Sequence, residues 1–338
     1  MRQVATLSVA LGLALGASYW TWTVPSAAPL AAEAVALYQG TPAEINALHW
    51  VAENVTVRME RKTDRLGDYT WVTVDRTLPA TPPEPVAEGE DAAQSDAPPA
   101  TPAPEHELTA FVGNDAAVKL WDDVGPLTAL RRLDVKDLSS AAYGLDEPTA
   151  TLTVTRRQGP AELTLGGESY GTKDRYVRYD NRVYLVKAAT LRPLEQASAR
   201  LVERALFPVL SSDVEQVELQ QGTAKRTFVH RNRDDRAAAF WADASAPDDV
   251  SDVAGPWLDK LFRVRVEAYE DDIADLEPVL TFSVLGKGER WSVQLLRSTG
   301  GAQPEFYART TYNRSLVKLT RDLAQDVVAD LGAVMGAE

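Results

Sequence analysis

Parts of this chain repeat one another at a fixed spacing, and a repeat restricts the fold more than any other feature of the sequence. Asp122-Asp123-Val124-Gly125-Pro126-Leu127 is echoed by Asp252-Val253-Ala254-Gly255-Pro256-Trp257, which sets the Gly-Pro pairs 130 residues apart. Pro148 in EPTATLTV and Pro278 in EPVLTFSV keep the same interval. Tyr176-Val177-Arg178 matches Tyr307-Ala308-Arg309, and Leu185-Val186-Lys187 matches Leu316-Val317-Lys318, both at 131. An offset held this long implies duplication. Upstream, 45–75 and 214–241 share a pattern, but Trp71 and Trp241 lie 170 apart, so the first copy carries about 40 extra residues before its Gly-Pro helix.

The extra residues begin at Thr77 and are dominated by Pro, Ala and acids, with no Lys or Arg. Too few apolar side chains are present to offset the entropy of ordering them, so 79–105 reads as a disordered acidic insertion, with His106 beside it in the same loop. Each copy reads as strand, strand, helix, four strands, helix. VTVRMER and YTWVTVD alternate in period two, as half-buried strands of an antiparallel hairpin do. Gly125-Pro126 and Gly255-Pro256 predict Pro at the first position of a helix, where its missing N–H costs little. TATLTVTRR, AELTLGG, RYVRYD and RVYLVKA follow in copy one; VLTFSVLG, ERWSVQLL, EFYARTT and SLVKL follow in copy two. Tight turns are expected at Gly286-Lys287-Gly288-Glu289 and Asp180-Asn181-Arg182. Amphipathic helices over 191–206 and 320–334 close the copies, with Leu194, Leu201 and Leu206 as core contacts. The expected fold class is α+β: two tandem repeats of antiparallel sheet with helices, 41–206 and 212–335, after an N-terminal membrane helix. The predicted superposition is 110–206 on 240–335.

Residues 3–32 carry no charge, a span of 30 positions. A bilayer-crossing helix needs about 20 apolar residues. That length is reached within 1–24 if Tyr19, Trp20 and Trp22 sit in the interfacial layer those side chains favour. Arg2 ahead of the segment suits a cytoplasmic N-terminus. A cleaved signal peptide is the competing reading, since Ser26-Ala27-Ala28 can serve a peptidase. Both export the remainder of the chain. As an anchor the segment makes a single-pass membrane protein with the bulk of the chain on the exported side.

The chain has no cysteine, which excludes disulfides, thiolate metal sites and a cysteine nucleophile. Its net charge of −14 and the lack of any dense basic run argue against nucleic acid as a partner. The three histidines, His49, His106 and His230, form no HExxH or close pair. GGESYGTK at 166–173 imitates a phosphate loop but lies between strands rather than before a helix. Ser315 and Lys318 fit SxxK, yet on a strand they face opposite sides. Glu270-Asp271-Asp272 with Asp275 lacks the glycine and terminal Glu of a calcium loop, and Asp248, Asp249 and Asp252 suit helix capping. Tyr170, Tyr176, Tyr179 and Tyr184 are close in sequence, but alternation on a strand sends some of them into the core. No catalytic, metal or cofactor residue is assigned.

Tyr143-Gly144-Leu145-Asp146-Glu147-Pro148, then Leu165-Gly166-Gly167, Tyr176-Val177-Arg178 and Val183-Tyr184-Leu185-Val186, resemble the DUF4340 domain of bacterial envelope proteins. The resemblance runs from about Ile45 to about Leu319, and the second copy lacks the YGLD sequence. It implies an accessory role beside ABC transporters of the gliding-motility type, and with the N-terminal anchor a single-pass location in the bacterial inner membrane, the bulk of the chain in the periplasm. The functional expectation is therefore a non-enzymatic, membrane-anchored accessory or scaffold subunit of an ABC-type transporter or other envelope complex, with protein partners and the membrane as contacts. A periplasmic glycan- or peptide-binding module is the alternative, and an unrecognised hydrolase the third reading.

Overall fold

The structure is a computed structural model that describes residues 34–78, 105–134, 141–301 and 303–336. The segment expected to cross the membrane, 1–24, and all of the acidic insertion but Glu105 lie outside them. Among the described residues no helix is long and apolar enough to cross a membrane.

The first half contains β1 (Val35–Ala36), β2 (Ile45–Ala52), β3 (Val55–Asp64), β4 (Gly67–Leu78), β5 (Glu105–Val112), α1 (Asp115–Val124), β6 (Thr128–Ala129), β7 (Arg131–Leu133), β8 (Ala150–Arg156), β9 (Gly159–Glu168), β10 (Arg175–Tyr179), β11 (Arg182–Val186), α2 (Ala188–Glu195) and α3 (Ala197–Arg200). The second contains β12 (Val214–Gln221), β13 (Ala224–Arg231), β14 (Phe240–Asp243), α4 (Ala254–Leu261), β15 (Val266–Glu270), β16 (Leu276–Gly286), β17 (Glu289–Ser298), β18 (Phe306–Thr310), β19 (Leu316–Leu319), α5 (Arg321–Ala329) and α6 (Leu331–Met335). Sheet with a few helices and antiparallel pairing throughout make this an α+β fold.

The large sheets run β5-β4-β3-β2-β8-β9-β10-β11-β7 and β14-β13-β12-β16-β17-β18-β19-β15. With β5 set aside, the two orders agree strand for strand. The registers agree as well: Leu48 faces Val154 as Val217 faces Val284, and Leu152 faces Leu163 as Phe282 faces Val293. One buried core gathers residues from Leu37 to Val202, and another gathers residues from Leu206 to Met335. Period-two alternation puts Val57 and Met59 of β3 beside Val72 and Val74 of β4 on the face that α1 and α2 cover with Leu120, Trp121, Leu191 and Leu194. Each such Leu is worth ~1.5–3 kcal/mol on burial. Trp121 donates its indole N–H to the buried Thr70 hydroxyl at 2.9 Å, and Trp257 donates to the Val327 carbonyl at 2.9 Å.

Registers correct several expectations. The Gly-Pro pairs are not counterparts. Gly125 is the C-cap of α1, donating to the Trp121 carbonyl, and a side chain there would meet Pro42 at 2.9 Å. Gly255 and Pro256 instead lie inside the first turn of α4. Helix α1 starts where Asn114 accepts hydrogen bonds from the Ala116 and Ala117 N–H groups at 3.0 and 3.2 Å. Trp71 pairs with Glu60, whose counterpart Val229 pairs with Ala242; Trp241 therefore corresponds to Thr70. A slip of one residue moves a side chain to the other face. Val317, expected to match Val186, takes the place of Tyr184 instead, because the β18–β19 turn is two residues longer than Asp180-Asn181. Within the large sheets, three strands precede α4 and four precede α1, where two were expected. The fourth, β5, contains Glu105 and His106, which were assigned to the insertion loop. Each closing helix is broken in two, at Gln196 and at Asp330.

Candidate docking surface

The two sheets meet where β5 of the first comes against β15 of the second. Phe111 and Tyr269 stand with ring centroids 6.1 Å apart. The Tyr269 hydroxyl donates to the Glu203 carbonyl at 3.0 Å and accepts from the Asn313 amide at 3.0 Å. Tyr312 donates to the Glu203 carboxylate at 2.8 Å. Burial, first of all, raises the pKa of both phenols, and the Glu203 carboxylate adds to it. At the rim, Arg314 reaches Asp64 at 2.8 Å and lies over the Tyr69 ring at 4.1 Å. A cavity of about 510 Å³ remains beside this junction, with Asn114, Glu203, Phe262 and Tyr312 among its walls.

A larger groove, about 880 Å³, opens between β13, β14 and α4 of the second unit and shares Leu210, Ser211 and Phe262 with the lining of that cavity. His230, Arg233, Phe240, Trp241, Leu210 and Val250 line it. The His230 ring stacks on Trp241 with centroids 4.4 Å apart and planes 10° from parallel. Its Nδ1–H donates to the Val214 carbonyl at 3.0 Å. Burial chiefly, and Arg233 in addition, hold the imidazole below its ordinary pKa, while the bond to Val214 opposes them. Leu210 and Val250 are 71% and 63% exposed, so apolar surface stays in water at the rim. An aromatic floor, an apolar rim and cations at one end suit capture of a protein segment.

Of the residues weighed from the sequence, His230 and Asp252 fall in this groove, beside Trp241, Gly255 and Pro256 of the repeat. His49 lies on β2, and His106 lies on β5 with Nδ1 3.1 Å from Asp75. The 166–173 stretch ends β9 and forms the turn before β10; a side chain on Gly166 would approach the Tyr143 carbonyl to 2.2 Å. Lys318 pairs with Glu305 at 2.7 Å, away from Ser315. Asp272 is held by Arg309 at 3.1 Å, and among the described residues no three His, Cys, Asp or Glu side chains are grouped to hold a metal. The tyrosines part company: Tyr170 is fully exposed, Tyr184 is buried, and Tyr176 and Tyr179 pack edge-on against Tyr143 and Tyr38. Sequence reasoning missed Leu210, Arg233, Phe240 and Val250. Apolar Leu210 and Val250 standing in polar loops were the available signal.

Comparison with protein families matches residues 114–310 to the family described as Domain of unknown function (DUF4340). The match runs as one stretch from the cap of α1 to the end of β18, through parts of both sheets, and is shorter at each end than the resemblance from Ile45 to Leu319. No curated protein and no solved structure matches the chain. With more than half of its residues inside the family match, the chain belongs to the DUF4340 family.

Proposed function

We propose that this protein is a non-enzymatic, membrane-anchored envelope protein, built by tandem duplication, that serves as an accessory or scaffold subunit of an ABC-type transporter or other envelope complex. The uncharged stretch 3–32 supports the anchor and the periplasmic placement of the sheets. The observation that carries the docking role is the groove at β14, with Leu210 and Val250 exposed above the His230–Trp241 stack. Exposed apolar side chains around an aromatic floor lose their cost when a partner covers them.

The test is photo-crosslinking in native membranes, with a benzophenone residue at Leu210, Val250 or, as a control, Leu66. The reading expects protein adducts from the two groove positions and none from Leu66. Absence of adducts at the groove, or loss of function in His230→Gln with adduct formation intact, would move the enzyme reading to first place. The stacked aromatic pair also favours the alternative of a glycan- or peptide-binding module, for which titration with cell-wall fragments is the direct measurement.

A further inference from the structure

A strand at the edge of a sheet turns a row of backbone N–H and C=O groups away from its neighbour, and these pair with another strand unless the chain shields them. Three of the four edges of the large sheets, β7, β14 and β15, are only three, four and five residues long. Two of them are also capped by the chain. Ser251 donates to the Trp241 carbonyl of β14 at 2.8 Å, and the Arg204 side chain donates to the Val266 and Glu267 carbonyls of β15 at 3.0 and 3.2 Å. The fourth edge, β5, is eight residues long.

Two hydrogen bonds fix which groups of β5 face outward. Gly113 donates inward to the Thr70 carbonyl at 2.8 Å, whereas the Val112 carbonyl accepts from the Glu203 N–H on the other side at 2.9 Å. Hydrogen-bonding direction alternates along an antiparallel strand, and β4 and β5 keep one register, so Ala110, Leu108 and His106 turn their N–H and C=O groups outward with Val112. The linker between the units begins a ladder on that side. Val202 bridges antiparallel to Gly113, and Asn114 donates to the Leu201 carbonyl at 2.9 Å. The linker then turns away to β15 through Arg204. Among the described residues nothing pairs with the outward groups of His106, Leu108 and Ala110.

The side chains along this stretch define what suits it. Leu108 is 68% exposed. Glu105 and Glu107 are exposed and form no ion pair among the described residues. Asp75 of β4 adds a carboxylate beside His106, at 3.1 Å, while Arg76 faces Glu107 from the side away from the open edge. The net charge of −14 opposes a second copy at this edge and attracts a cationic segment.

We propose that the outer edge of β5, from His106 to Ala110, receives an extended segment of a partner protein as a further strand, with an apolar side chain beside Leu108 on one face and Lys or Arg beside Glu105 and Glu107 on the other. Backbone pairing supplies the affinity and the alternate side chains supply the selection. The edge is separate from the groove at β14, so crosslinking at the groove does not bear on it.

The test titrates full-length protein in detergent with a labelled peptide of alternating Val and Lys, and with a Val and Glu peptide as control. Amide hydrogen exchange is followed residue by residue. Saturable binding of the first peptide alone is expected, with the His106, Leu108 and Ala110 amides exchanging rapidly in the free protein and slowly in the complex. L108P removes an outward N–H that bonds nothing among the described residues, so it should melt within a few degrees of wild type and bind the peptide about tenfold or more weakly. L108A keeps the N–H and should lose less. If L108P melts early, E105K/E107K replaces it, with the same loss expected. Equal binding of the two peptides, binding without protection of those three amides, slow exchange there in the free protein, or wild-type binding by the replacement variants would overturn the proposal. So would a disulfide-linked dimer of L108C on mild oxidation, since the chain has no native cysteine and that dimer would place a second copy at the edge.

Discussion

Arg314 donates to the carboxylate of Asp64 at 2.8 Å while its guanidinium lies over the ring of Tyr69 at 4.1 Å, across 250 residues of chain. One side chain of the β18–β19 turn thereby grips the β3–β4 turn through both charge and ring face. It is the polar rim of a junction whose centre is Phe111 against Tyr269.

The grip has a pH signature. The hydrogen bond from Arg314, first of its causes, holds the Asp64 carboxyl below the ordinary carboxylate pKa. A depressed carboxylate contributes stability that is present above its unfolded-state value, about 4, and lost as pH falls through the lower folded value. Arg314→Ala should therefore be less stable than wild type at pH 7, with the difference shrinking below about pH 4. Urea melts at both pH values measure it.

Thr70→Val should cost ~1–3 kcal/mol, because it removes the acceptor of a buried indole N–H and leaves that donor unpaired. Thr70→Ser should keep most of the stability. Urea midpoints at unchanged slope distinguish the lost bond from a change in the unfolded state.

The sheets and most hairpins were legible because alternation is a local property: VTVRMER and TATLTVTRR each show a buried face in isolation. The pairing of Trp71 with Trp241 was not, since identity of residue type says nothing about register, and only the ladder distinguishes Thr70 from Trp71 as the counterpart. Strand β5 was hidden by its composition. EHELTAFV opens with charged residues that an exposed edge tolerates, and only Phe111 and Val112 are buried. Of the groove, His230 was visible as a residue but its surroundings were not, because Leu210, Arg233 and Val250 converge from three separate loops.

His230 should make the second unit acid-sensitive. Its folded pKa is depressed below the ordinary 6.5, mainly by burial, so the unfolded chain binds the proton first as pH falls. Stability should decline from about pH 6.5 down to the folded value and then level off. His230→Gln should flatten that slope. An NMR titration of the ring proton reports the same shift directly, and a midpoint at or above the ordinary value would contradict it.

Leu78 and Glu105 are the last register pair of β4 and β5. A two-residue Asn-Gly turn can join strands paired in this way. Replacing 79–104 with Asn-Gly should therefore leave the melting temperature within a few degrees of wild type and keep crosslinking at the groove. A large fall in melting temperature would assign those residues a structural part.

Full-length protein should sediment with membranes and resist carbonate extraction, and truncation before Ala31 should release it. Recovery of native soluble chain beginning near Ala28 would instead identify a cleaved signal.

Between the two sheets the ladders keep largely one pattern, β9–β10 having a bulge that β17–β18 lacks, and two changes of spacing fall in turns: 232–239 is two residues longer than 63–68, and the β18–β19 turn two longer than its counterpart. Strands behave as fixed rails and turns as adjustable couplings. The turn at Lys287-Gly288, where a side chain on Gly288 would meet nothing, is therefore a place to splice in an epitope. Antibody access to it in intact and permeabilised cells would read out which side of the membrane the second sheet occupies.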